Sequence, residues 1–235
     1  MTIARFKDLC MDASDALQLA GFWAQVLGAQ VTDLGDRSAR IDMRQGPAAN
    51  DSIWVDPVPE PRTGKTRVHL DVRLAQPDPA PLLAAGATVV RDPGADPWWV
   101  LADPDGNEFC AFPPRAEAGS QPGVFELVVD CADALAQARW WARIVGGRVA
   151  GDDGGSYVVD AAGFPWRYWV FQPVPEPKTV KNRVHWDVDL TGDGCAALVD
   201  AGARVLRQPG GDISWWVLAD PEGNEFCAFP PRRPG

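Results

Sequence analysis

The chain carries two histidines, and both stand in the same short context: RVHLDV from Arg67 to Val72 and RVHWDV from Arg183 to Val188. If each run is a strand, alternation sends Val68, Leu70 and Val72 to one face and Arg67, His69 and Asp71 to the other. An imidazole beside carboxylates can carry a proton near neutral pH, or it can simply hydrogen-bond to its acids, here Asp71 for His69 and Asp187 for His185. Arg67 and Arg183 share the face, where a guanidinium either neutralises those acids or binds an anionic ligand group.

A second repeated block adds more groups of this kind. WVLADPDGNEFCAFPP runs from Trp99 to Pro114 and WVLADPEGNEFCAFPP from Trp216 to Pro231, differing at one acidic position. The DPDGN turn places Gly106 where a positive φ is needed, so that Glu108 opens a strand with Cys110 and Phe112 on its own face. Glu108 and Glu225 then either reach into a site or close their turns through Asn107 and Asn224. A thiol nucleophile needs a base, and with one histidine per half Cys110 and Cys227 read as small strand residues.

These groups must be positioned by a repeated scaffold. A shift of about 116 to 118 residues, the kind of internal offset that signals a duplicated architecture, also aligns PVPEP at Pro57 with PVPEP at Pro173, and LLAAGATVVRDP at Leu82 with LVDAGARVLRQP at Leu198. DALQLAGFWAQVLGAQV from Asp15 matches DALAQARWWARIVGGRV from Asp133. In that stretch Leu17, Phe22, Trp23, Val26 and Leu27 follow a helical period with Gly28 as the stop, and Leu135, Trp140, Trp141, Ile144 and Gly146 repeat it. Each half reads as βαβββ twice, which predicts an α+β protein of four such modules: residues 1–114, a linker at 115–123, and residues 124–235.

Composition narrows the partners. A formal charge of −10 without a basic patch argues against nucleic acid. The start, MTIARFKDLC, lacks the apolar core of a signal peptide and no run is long enough to cross a bilayer, so the expectation is a cytoplasmic protein with no membrane partner. Five cysteines without a CxxC pair fit neither a disulfide framework nor a cysteine-rich zinc site. The 11 tryptophans serve either a core or a ligand cleft. Alternation turns one of Trp98 and Trp99, and one of Trp215 and Trp216, inward; Trp54, Trp166 and Trp169 are further candidates for stacking on a planar ligand.

RVHLDV or RVHWDV followed by LADPxGNEF resembles the vicinal oxygen chelate superfamily of glyoxalases, extradiol dioxygenases and bleomycin-resistance proteins, and its glyoxalase-like domains in particular. The resemblance spans the chain as two tandem copies and implies a cup-shaped mixed sheet in each half, concave towards a ligand or metal. For members that use a divalent ion (Zn, Ni, Mn or Fe), it implies the sets Asp8, His69, Glu108 and Glu126, His185, Glu225. Alternation agrees in placing Asp8 opposite Leu9 and Glu126 opposite Leu127. Many metal-using relatives have His or Gln where this chain has Asp8 and Glu126. An iron oxygenase triad needs two histidines and a carboxylate, which disfavours a dioxygenase.

The reading these features favour is a small-molecule binding protein of the glyoxalase and bleomycin-resistance type. It takes an apolar or aromatic ligand against Trp98, Trp99, Trp215 and Trp216, with Arg67 and Arg183 nearby, and needs no cofactor. The alternative is a divalent-metal-dependent lyase or isomerase, in which the ion stabilises an enediolate while a carboxylate moves the proton. A purely structural interaction module is a third. Whether the modules pair within one chain or between the chains of a homodimer is open at this level.

Overall fold

The computed structural model describes residues 2–43, 52–116, 121–152, 155–192 and 194–231. The expected βαβββ unit occurs four times. The first comprises β1 (Ala4–Ala13), α1 (Ala16–Leu27), β2 (Gln30–Asp33), β3 (Ala39–Asp42) and β4 (Ser52–Pro57). The second comprises β5 (Val68–Arg73), α2 (Ala80–Ala84), β6 (Thr88–Arg91), β7 (Trp99–Ala102) and β8 (Glu108–Phe112). In the other half stand β9 (Gly123–Cys131), α3 (Ala134–Val145), β10 (Arg148–Asp152), β11 (Gly155–Val159) and β12 (Tyr168–Pro173). The last unit is β13 (Val184–Leu190), α4 (Ala196–Asp200), β14 (Arg204–Arg207), β15 (Trp216–Ala219) and β16 (Glu225–Phe229).

Local chemistry sets the helix ends. Asp15 accepts the amide of Gln18 at 3.1 Å and Asp133 that of Ala136 at 2.9 Å, each satisfying a free N–H of the first turn. Gly28 ends α1 with φ 62°, a left-handed conformation costly for other residues. The apolar stripe differs from the sequence reading at one position per helix. Leu17 and Leu135 are exposed, while Leu19, Phe22, Trp23 and Trp141 are buried.

The strands form two eight-stranded sheets, and each sheet draws on both halves of the chain. One, sheet A, runs β14-β15-β16-β13-β1-β4-β3-β2; the other, sheet B, runs β10-β11-β12-β9-β5-β8-β7-β6. This corrects the expectation of a cup completed within each half. The first unit shares its sheet with the fourth, and the second with the third. The joins are antiparallel pairs of first strands, β1 with β13 and β5 with β9.

Arginines fasten the crossing. Arg67 donates to the carbonyls of Glu176 at 2.9 Å and Asp130 at 3.1 Å, and Arg183 to the carbonyl of Glu60 at 2.9 Å and the carboxylate of Asp105 at 2.5 Å. Every one of these bonds links one half to the other.

Helices lie behind the sheets in one continuous core. Trp141 of α3 sits 4.9 Å from Trp169 of sheet B and 5.1 Å from Trp186 of sheet A, ring centre to ring centre, and all three are fully buried. Phe6 of sheet A meets Trp169 of sheet B edge to face at 5.7 Å. Aromatic area and edge-to-face geometry therefore hold the sheets together. Trp169 is wholly taken up in this packing, while Trp166 packs on it from the edge and also lines a separate cavity of about 340 Å³.

The repeated ADPxGN segment is a structural hub. Asp103 accepts the amides of Asp105 at 3.0 Å and Asn107 at 2.9 Å, and the indole of Trp23 at 3.1 Å. Asp220 does the same for Glu222, Asn224 and Trp141. The single difference between the blocks also has a structural counterpart. Asp105 accepts the amide of Ser14 and pairs with Arg183, whereas the longer Glu222 spans the two amides of Ala132 and Asp133 at 2.6 and 2.8 Å.

Candidate ligand cup on sheet B

Strand alternation behaves as the sequence suggests around the histidines. Val68, Leu70 and Val72 enter the core, while His69 and Asp71 face a cavity of about 740 Å³ over sheet B. Glu108 and Cys110 of β8, Glu126 of β9 and Trp98 also line it. Trp99 turns the other way and packs on the core, and the same holds for Trp216. Trp98 stacks on Phe112 at 5.0 Å, and Trp215 on Phe229 at 5.0 Å. Trp54 carries the guanidinium of Arg40 at 5.6 Å from its ring.

Crossed pairing regroups the metal sets that the resemblance implies. Asp8 lies on sheet A with His185 and Glu225, and Glu126 lies on sheet B with His69 and Glu108. Asp8 therefore does not meet His69, nor Glu126 His185. Arg67 and Arg183 do not line the cup; they border a separate cavity of about 200 Å³ in the seam between the halves.

The glutamates are already occupied. Glu108 pairs with Arg62 and accepts the amide of Thr66 at 3.0 Å. Burial alone would raise its carboxyl, but Thr66 and Arg62 outweigh that and hold it at about 2. Glu225 pairs with Lys178 at 2.7 Å and accepts the amide of Asn182 at 3.2 Å.

The two floors differ in what balances their acids. On sheet A the Lys7 ammonium bonds to Asp8, lies 3.5 Å from Asp187 and rests 4.2 Å above the ring of Phe229. His185 needs no charge there, and burial lowers its imidazole to about 4. Burial chiefly, with Asp8 adding to it against the pull of Lys7, keeps Asp187 up at about 7. On sheet B, His69 Nε2 lies 3.3 Å from Asp71. Burial opposes its protonation, but the Asp71 carboxylate prevails and raises it. Glu126 is pushed well above the ordinary carboxyl range, by burial first and then by Asp71, which faces it across the strand pair. The Nδ1 atoms of both histidines are buried without a partner.

The sequence pattern matches the glyoxalase-like domain model twice, over residues 8–112 and 126–229. The chain belongs to the glyoxalase-like domain family. No curated protein matches it in sequence. Its fold is similar to that of glyoxalase I from Zea mays, with 15% identity, 96% of this chain and 92% of that one covered, and a TM-score of 0.65. A putative dioxygenase from Bacillus subtilis is similar at 11% identity, 99% and 86% coverage and a TM-score of 0.61. At such identities the likeness is one of fold.

This glyoxalase-like chain does not present the implied ligand sets ready for a divalent ion. Glu108, Glu225 and Asp8 are each paired with a cation of the chain, and on sheet A the ammonium of Lys7 occupies the floor. Among the described residues, the groups whose donor atoms all lie within 4.8 Å are His69, Asp71 and Cys110, and Cys10, His185 and Asp187. Alternation alone would have put Asp71 and Cys110 on the histidine's face. Burial and then Asp71 push the Cys110 thiol far up. No helix of the described residues is long and apolar enough to cross a membrane.

Proposed function

We propose that the cavity over sheet B binds a small, largely apolar or aromatic molecule. The observation that carries this reading is the cavity itself, about 740 Å³ with the exposed end of the Trp98–Phe112 stack, Tyr157 and Tyr168 around a floor of His69, Asp71 and Glu126. A pocket of that size suits a drug-sized ligand, with apolar walls supplying affinity and a few convergent polar groups supplying orientation. Stacking on an indole adds about 1 to 3 kcal/mol for a planar ligand over a polar solute of similar size. The acidic floor and the net charge of −10 disfavour polyanions.

Calorimetric titration with 1-naphthalenemethanol and with citrate tests the reading. Saturable binding of the alcohol, weakened at least severalfold by Trp98→Ala and absent for citrate, is expected. Binding of citrate but not of the alcohol defeats it and moves attention to Arg67 and Arg183 in the seam.

The second reading, a divalent-metal-dependent lyase or isomerase, draws on the compact His69, Asp71 and Cys110 group. Stoichiometric metal in the reconstituted protein that is lost on His69→Ala supports it; none after reconstitution removes it.

A further inference from the structure

Resting on the binding reading above, we propose that the sheet-B cup selects a ligand bearing an ammonium group, which it seats between Asp71 and Glu126 against Phe112. The other cup of the same chain shows the arrangement already filled. In β1 an extra residue sits between Phe6 and Leu9, where the register with β13 slips, so that Lys7 and Asp8 together oppose Asp187. A bulge of this kind puts two residues against one and re-aims a side chain that plain alternation would send away. Lys7 thereby reaches the floor, where its ammonium lies by Asp8 and Asp187 and over Phe229.

Sheet B has the same bulge, between Val124 and Glu126, with Glu126 facing Asp71. Its extra residue is Phe125. The matching acids and ring are all present: Glu126 for Asp8, Asp71 for Asp187, Phe112 for Phe229, and Trp98 on Phe112 as Trp215 is on Phe229. The ammonium is the missing member. Phe125 instead meets Phe112 edge to face at 5.5 Å.

Two of the cavity's other cations have acids of their own, and the third, Arg115, lines the cavity without an ion pair to Asp71 or Glu126 among the described residues. Lys65 pairs with Asp130 at 2.6 Å and Arg91 with Asp96 at 3.1 Å. Arg73 stands behind the rings of Phe125 and Phe112, at 4.3 and 5.4 Å, and contributes charge to Glu126 from that side without lining the cavity. Asp71 and Glu126 face each other across the strand pair, with His69 Nε2 3.3 Å from Asp71 as the nearest cation-forming group. An organic ammonium seated there gains two carboxyl hydrogen-bond acceptors and adds cation–π attraction to Phe112. Its apolar body is left against Trp98 and the tyrosines.

The test compares 1-naphthylmethylamine with 1-naphthalenemethanol, which share ring and length, by calorimetry on chelator-treated protein. The amine is expected to bind about tenfold tighter or more. Glu126→Gln should erase most of that preference, read as the ratio of amine to alcohol affinity within the variant. Phe125→Lys, which supplies the internal ammonium as Lys7 does, should erase it independently, so the inference does not hang on one variant folding. Equal binding of amine and alcohol overturns the inference and leaves the binding reading standing; binding of neither overturns both. A preference seen only after adding Zn²⁺, or unchanged in Phe125→Lys, also overturns it.

Discussion

Asp103→Ala should be among the most damaging single changes in the first half, although Asp103 touches no ligand. The carboxyl is 3% exposed and takes four donors: the amides of Asp105 and Asn107, the side-chain amide of Asn107 and the indole of Trp23. Trp23 and Asn107 are themselves buried, so their N–H groups cannot turn to water once the acceptor is gone. A buried donor left unmade costs about 1 to 3 kcal/mol. Two such donors, with the loss of the turn that delivers Glu108 to the cup, amount to about 3 to 5 kcal/mol. That is a large part of the roughly 5 to 15 kcal/mol that holds an ordinary domain together. Urea denaturation followed by circular dichroism measures it. Trp23→Phe removes donor and indole together and leaves Asp103 its other partners, so beyond its packing loss it should cost about 1 kcal/mol. Asp103→Asn turns an N–H towards the Trp23 indole, and adding Trp23→Phe relieves that clash. The double variant should therefore be more stable than the sum of the two singles by about 1 kcal/mol or more. An Asp103→Ala variant within about 1 kcal/mol of the parent, or an additive cycle, refutes the hub as the reason for the repeated block.

Crossed pairing makes a clear statement about the halves. Residues 1–116 alone carry β1 and β5 without β13 and β9, so sedimentation should find no folded monomer, and mixing with residues 121–235 should restore near-ultraviolet dichroism; a folded monomeric half would refute the shared sheets. Glu126 predicts an alkaline loss of stability. Its folded-state value is raised, so the native chain holds the proton more tightly than the unfolded one; the contribution is full below the ordinary glutamate value of about 4.3 and disappears as pH rises through the raised native value. Denaturation midpoints should fall over that range in the parent and fall less in Glu126→Gln, and equal slopes would show that the carboxyl pair does not govern it.

What the sequence determines by itself is local and periodic. The duplicated βαβββ units, the glycine stop at Gly28, the facing of His69 and Asp71 against Val68 and Leu70, and the division of Trp98 from Trp99 all follow from repeats of 2.0 or 3.6 residues and from turn chemistry. Cross-strand pairing does not follow, because the first strands of all four units offer the same alternating apolar face to any partner. Leu70 against Leu127 and Leu9 against Trp186 are no better matched as patterns than the pairs they replace. Arginines reaching across the halves and one shared aromatic core decide it, and these are contacts between residues far apart in sequence. That decision exchanged the partners of Asp8 and Glu126. A bulge in each first strand then broke the alternation that would have sent Lys7 away from Asp8, so what stands beside the acids on the floor of each cup, Lys7 in one and Phe125 in the other, was settled by strand register in three dimensions.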